Sequence, residues 1–333
     1  MTMVRHSSGQ PTHEFYGLNE VWSDIIIQGY GTQVLGVQLA QSQHLPSDEV
    51  AHSRAFHFQR RPRGVNSFDF FQHDDNEWPE VGRRPLLEDD YITVCQEFKM
   101  RDKVSYYERW LLNKQWPMIE KLMADDFREG LALRLDDYII STCLASAAQY
   151  NQGNHAGKLT RRYNLGSQDQ NALTITTGAD LERLILTMRT VGKEAGMFTG
   201  TADVRLEGGP DARPILLIPA ALELEAALMI RELANICQDC SAIRNYNGHI
   251  GRVWGIDIYT TQFLRPVDMG AAVGQVAPIM LVDPNYVWSF FDVISSGEDR
   301  HLFEYEFGVH VIYDAAVLEP DAIVIADVKV PQP

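Results

Sequence analysis

Between residues 119 and 139 every fourth position is apolar: Ile119, Met123, Phe127, Leu131, Leu135 and Ile139 recur while Asp125, Asp126, Arg128, Arg134 and Asp136 take other faces. That period predicts a long amphipathic helix. Pro117 is expected to divide it into a short lead helix and a long piece beginning near Met118, since proline cannot sit in a helix interior. The long piece, at about 30 residues, spans on the order of 45 Å. A second helix is predicted over Gly178 to Ala195, with Leu181, Leu184, Ile185 and Met188 on one face.

Elsewhere the period is two. Phe303, Tyr305, Phe307, Val309 and Val311 alternate with Glu304, Glu306, Gly308 and His310, and Trp254, Ile256 and Ile258 alternate with Gly255, Asp257 and Tyr259. Both read as strands with one buried face. Ile215 to Ile218 is a short, wholly apolar run, expected as a buried strand, after which Pro219 opens a helix carrying Leu222, Ala226, Met229, Ile230 and Leu233. Ile323 to Val330 predicts a closing strand, and Tyr150 to Thr177, rich in Asn, Gly, Gln and Ser, predicts a loop. The class is α+β.

Residues 51–101 read as a long two-stranded excursion. Phe56 and Phe58 alternate with His57 and Gln59 on the way out; Ile92, Val94, Phe98 and Met100 alternate with Thr93, Glu97 and Lys99 on the way back. Between them Asn66 to Glu88 is rich in turn formers and charge, so the hairpin is expected to project from its own domain. Residues 1–50 are too sparse in apolar side chains to make a core and read as an arm that packs on something else.

Composition changes this picture only by exclusion. With 333 residues, 45% of them hydrophobic and 22% charged, the chain has enough apolar material for a large core. A net charge of −16 and a pI near 5.0 argue against gripping nucleic acid through a basic face, yet suit the wall of a container for polyanion. No apolar stretch reads as a membrane span, and Met1 to Tyr16 does not read as a secretory signal. The four cysteines, at 95, 143, 237 and 240, are too scattered for a disulfide framework and fit a reducing cytoplasm.

Candidate chemistry is thin. Cys237 and Cys240 have the spacing of a redox dithiol or half a zinc site, but no second Cys or His pair matches them. His52 and His57 lack the spacing of a metalloprotease motif, and the pairs Asp125-Asp126, Asp136-Asp137 and Glu298-Asp299 are neighbours whose side chains diverge. Phosphate-loop, nucleophile-elbow and dinucleotide motifs are absent from the sequence. The expectation is a non-enzymatic chain without catalytic, cofactor or metal residues. Around the hairpin tip, Arg60, Arg61, Arg63, Arg83 and Arg84 bracket Asp74, Asp75 and Glu77, a mixed-charge set suited to docking on a neighbouring subunit.

This order of parts resembles the major capsid proteins of tailed bacteriophages, which have the Hong Kong 97-type fold also found in encapsulin shells. Two stretches carry the likeness locally, Arg213 to Pro219 leading into a helix and Gly251 to Ile258; the ending from Ala315 to Ile325 is similar to the closing strands of many phage coat proteins. The resemblance implies an N-terminal arm at 1–50, an extended hairpin loop at 51–101, a spine helix and peripheral domain at 102–177, a mainly axial domain at 178–300, and closing strands of the peripheral domain at 301–333. It implies pentamers and hexamers of this chain in an icosahedral virion capsid around double-stranded DNA bound without sequence specificity. Assembly would take place in the host cytoplasm with a separate scaffolding protein, a portal and in some cases a decoration protein. The alternatives are an encapsulin-like nanocompartment with enzyme cargo and a cytoplasmic thiol oxidoreductase using Cys237 and Cys240. Some relatives weld subunits through a lysine on the hairpin; here the first lysine is Lys99, at the hairpin's base, so a non-covalent shell is expected.

Overall fold

The computed structural model describes residues 41–43, 55–60, 88–93, 96–105, 116–168, 171–197, 214–233, 241–242, 248–270, 274–300 and 304–330. In chain order the elements are β1 (Gln41–Gln43), β2 (Ala55–Arg60), β3 (Glu88–Thr93), β4 (Gln96–Ser105), α1 (Trp116–Ser146), β5 (Leu173–Thr174), α2 (Gly178–Glu194), β6 (Ile215–Pro219) and α3 (Glu223–Leu233). There follow β7 (Ser241–Ala242), β8 (His249–Val253), β9 (Ile256–Thr261), β10 (Val267–Asp268), β11 (Gln275–Val282), β12 (Val287–Arg300), β13 (Glu304–Val317) and β14 (Ile323–Lys329).

The core is built on one mixed sheet with strand order β5-β14-β11-β6-β9-β8-β7, β10 pairing with β11. Its central strands β6, β11 and β14 are apolar on both faces, and their alternate residues divide between two cores. Leu216, Ile218, Ile256, Ile258, Ile279, Leu281, Val324 and Ala326 pack with Leu181, Ile185 and Met188 of α2 and Ala226, Met229 and Ile230 of α3. Ile215, Leu217, Met280, Val282, Ile323 and Ile325 pack on the other side with Ile139, Ile140 and Cys143 of α1. Three layers result, and a sheet covered on both sides must carry continuous apolar runs instead of alternating ones.

This explains why β6 was legible as a buried strand. It also shows what the sequence reading missed: β11, whose residues from Val276 to Val282 are all buried and which lies between β14 and β6. Pro278 sits within it. The antiparallel ladder of β6 and β11 ends at Leu217 opposite Met280, so Pro219 and Pro278 fall just past it, where a missing N–H costs nothing. On the other side Asp327, opposite Pro278, sends its own N–H to the Leu165 carbonyl at 2.8 Å.

A second sheet has the order β1-β12-β13-β4, with β12 and β13 forming a long antiparallel hairpin bulged between Val293 and Ser295. The helix α1 lies against β13. Its 31 residues run on the order of 46 Å. Pro117 stands in its first turn, where a helix tolerates proline, so α1 starts at Trp116 ahead of the expected Met118; the expected lead helix lies outside the described residues.

Three other expectations are corrected. The returning leg of the 51–101 excursion is two strands: β3 pairs with β2, Ala55 opposite Thr93 and Arg60 opposite Glu88, whereas β4 leaves to pair with β13. Trp254 is not in a strand. Trp254 and Gly255 have φ of 54° and 77° and connect Val253 to its ladder partner Ile256, a two-residue hairpin turn that requires positive φ at both positions. Pro219 closes β6 and precedes a 3-10 turn at Ala220–Leu222, so the helix α3 begins only at Glu223.

Candidate assembly surfaces

Of the eight charged residues assigned to docking, Arg60 ends β2 opposite Glu88; Arg61, Arg63, Asp74, Asp75, Glu77, Arg83 and Arg84 lie outside the described residues, as do Cys237 and Cys240. Cys143 is fully buried in α1, and burial pushes its thiol up to about 12. Asp136 is buried and Asp137 half-exposed, 3.9 Å from both Arg134 and Arg265, so this acidic pair diverges as its helix spacing predicts. Among the described residues no three His, Cys, Asp or Glu side chains are grouped to hold a metal, and no helix is long and apolar enough to cross a membrane.

The sequence reading passed over 150–165 as plain loop, but the structure makes it a built feature. Ala156 and Tyr163 exchange backbone hydrogen bonds of 2.8 and 3.0 Å, and Arg161 N–H returns to the Gly157 carbonyl at 3.1 Å. The Glu194 carboxylate, at the end of α2, accepts from the Leu159 and Thr160 N–H groups, each at 3.1 Å, and from the Thr160 hydroxyl at 2.9 Å. Partial burial raises the Glu194 pKa, but the hydrogen bonds from Thr160, Leu159 and Tyr163 outweigh it and hold the carboxyl below its usual range. Asp321 accepts from the Tyr150 hydroxyl and the Lys158 ammonium, and Asn151, wholly buried, donates to the carbonyls of Asp321 and Ile323 at 3.1 and 3.0 Å. The loop so fixed holds up Leu159, 78% exposed, among exposed Lys158, Arg161 and Arg162. Its sequence signal is an apolar residue inside a Lys-Leu-Thr-Arg-Arg run.

Two further places carry unusual chemistry. His249 is buried on β8 with Nε2 3.6 Å from Asp257 Oδ1, too far for a hydrogen bond, and neither ring nitrogen has a partner among the described residues. Burial lowers its pKa against the pull of Asp257, whose carboxylate instead accepts from Arg252 Nε at 2.7 Å. An open cleft of about 460 Å³ lies between α1, β4 and residues 262–265, with Phe98, Leu133 and Phe263 on its walls and Arg134, Asp137 and Arg265 at its rim.

The architecture is the Hong Kong 97-type fold, α+β in class. The chain is similar to the mature capsid of bacteriophage PhiM1, with a TM-score of 0.51 and 10% identity over 90% of this chain and 88% of that one. It is also similar to the capsid of Myoviridae phage XM1, with a TM-score of 0.45 and 16% identity over 98% and 96% of the two chains. A third likeness is to the holo-SrpI encapsulin complex from Synechococcus elongatus PCC 7942, with a TM-score of 0.46 and 11% identity over 91% and 90%. No family model matches the sequence, and no curated protein matches it.

Proposed function

We propose that this chain is a structural shell protein without enzymatic activity, the major capsid protein of a tailed double-stranded DNA phage. The observation that carries the reading is the shared fold with a mature phage capsid over 90% of the chain. In this reading copies of the chain form pentamers and hexamers of an icosahedral virion shell, assembled in the host cytoplasm with a separate scaffold, a portal and in some cases a decoration protein. The three-layer core suits a rigid tile. In this reading β2 and β3 belong to the extended loop, and α1 is the spine of a peripheral domain that includes the sheet of β4, β12 and β13. The mixed sheet with α2 and α3, closed by β14, is mainly the axial domain, so β4 leaves the 51–101 loop, and 301–333 is shared between the two sheets.

The mixed charges around Arg60 to Arg84 serve docking on a neighbour, giving register more than affinity. Lys99 does not serve a covalent weld: it sits in β4 opposite His310, its ammonium 3.0 Å from Glu97. The shell is therefore held by non-covalent contacts.

The test is electron microscopy of particles purified from expressing cells, with nucleic acid and protein content measured on the same sample. Closed shells are expected, and DNA inside particles from infected cells. A protein cargo without DNA would replace the phage reading by the nanocompartment. A chain that stays monomeric with its scaffold present, across concentration and salt, would sink both. Reactive, low-pKa thiols at Cys237 and Cys240 in native protein would favour the oxidoreductase instead.

A further inference from the structure

Two exposed patches of opposite character lie at opposite ends of α2. At its C-terminal end is the loop pinned by Glu194, which presents Leu159 with Arg161 and Arg162. The loop is stiff by construction. Arg161 is held at φ 49°, a conformation non-glycine residues adopt rarely, and the Glu194 carboxylate gathers the turn around it. Keeping a leucine in water on such a turn stabilises nothing within the chain, and a pre-ordered apolar knob is what docking favours.

At the other end of α2 lies α3. A Cβ on Gly178, the first residue of α2, would be 3.2 Å from Met229 Cα, so α3 crosses there. The inner face of α3 fills the core; its outer face exposes Leu224, 68% accessible, with Ala227 and Leu228 one turn on. Glu223 and Glu232 flank this apolar stripe, with Arg231 between the stripe and Glu232. The 17 residues of α2 put roughly 25 Å between the two patches, so the loop cannot reach the stripe of its own copy.

We propose that Leu159 of one copy docks on the Leu224–Leu228 stripe of the next, with Arg161 and Arg162 facing Glu223 and Glu232, a head-to-tail contact between copies of this chain. Apolar meets apolar and cation meets carboxylate, and Lys158, tied to Asp321, takes no part. Because the two halves are different surfaces, the contact is heterologous and generates a ring when its rotation closes. The inference rests on the shell reading and assigns residues to the contact that builds its capsomers.

The experiment pairs two single-sided variants, Leu159→Asp in the loop and Leu224→Lys with Leu228→Lys on α3. By sedimentation velocity the wild-type chain should form rings or larger particles. Each variant alone should stay monomeric to at least about tenfold higher concentration, the loss expected when a leucine leaves an interface. An equimolar mixture should give a dimer that grows no further, since one intact loop meets one intact stripe. That dimer also shows that both variants fold. Wild-type rings with either variant still assembling, or a mixture that stays monomeric, would overturn the contact and leave the shell reading standing. A loop variant that assembles normally but retains less DNA would assign the loop to nucleic acid and overturn it too. The runs are repeated with the scaffold present where the wild-type chain alone does not assemble, and a wild-type chain with no assembly there either would remove both readings.

Discussion

Tyr138 on α1 donates its hydroxyl to Asp314 Oδ1 on β13 at 2.9 Å, joining residues 176 positions apart in sequence. The same ring meets Tyr313 edge-on, with centroids 5.2 Å apart. The long helix is thus fastened to the second sheet by a polar bond and an aromatic contact at one point. Asp314, 6% exposed, also accepts from the Ala315 N–H at 2.8 Å.

Tyr138→Phe keeps the ring and removes the hydroxyl, so it should lower stability by about 1 to 2 kcal/mol, the cost of depriving a buried carboxylate of one donor. Tyr138→Ala should cost more, since it also removes the aromatic pair. Denaturant unfolding of both variants checks the order; a Tyr138→Phe variant as stable as wild type would mean that the hydroxyl contributes nothing, and equal losses in the two variants would mean that the ring pair contributes nothing.

Gly166 has φ of 78°, and a Cβ there would lie 2.3 Å from the Asp327 carbonyl oxygen and 3.1 Å from the Leu173 N. Both obstacles are backbone and cannot step aside. Gly166→Ala should therefore destabilise by on the order of 3 kcal/mol, combining the left-handed conformation with the clash. Gly153, also at positive φ but with nothing within 4 Å of such a Cβ, is the control and should lose about 1 kcal/mol. Thermal melts of the two variants measure the difference.

Cys143 should be inert in the folded chain. Its thiolate is disfavoured by burial, so native protein should leave this thiol unlabelled by an alkylating agent, and unfolding should release it, as read by peptide mapping. The raised pKa also sets a pH dependence. The unfolded thiol titrates near its ordinary value of 9.0 and the folded one at about 12, so the contribution to stability is complete below 9 and is lost as pH rises through that window. Cys143→Ser should flatten this part of the stability profile.

Glu194 shows the opposite sign. Its carboxyl is held below the ordinary value of 4.5, so its contribution is present above that value and is lost as pH falls through the lowered one. Glu194→Ala should free the loop at every pH. Lys158, Arg161 and Arg162 then become efficient trypsin sites while the rest of the chain resists, and mass spectrometry of brief digests reads the cut positions. Equal resistance of wild type and variant would show that the loop is held by other bonds.

How much of this was legible beforehand depended on the range of the physics. Leu181, Leu184, Ile185 and Met188 mark α2 by local period alone, and they are buried as that period requires. Val309 and Val311 mark β13 in the same way, and both are buried. A segment apolar on both faces shows no period and is read only as an unbroken apolar run, as β6 and β14 were; β11 has Pro278 inside its run, which argues against a strand, and it passed unread between them. Trp254 failed for another reason. Alternation runs through it, but a hairpin turn displaces it, and its φ of 54° is stabilised by packing against the core that a window of sequence does not contain.

The amino-acid order determined by itself the helices, the strands with one buried face, the α+β class, and the net charge of −16, because each follows from neighbours a few residues apart. The tertiary structure alone decided the pairings: that Gln96 of β4 lies opposite Tyr313 of β13 and not in the hairpin it seemed to continue, and that Glu194 gathers a loop some 35 residues before it. The cost of closing a loop grows only slowly with its length, so distant partners compete almost on equal terms with near ones. What selects among them is the three-dimensional fit of whole faces.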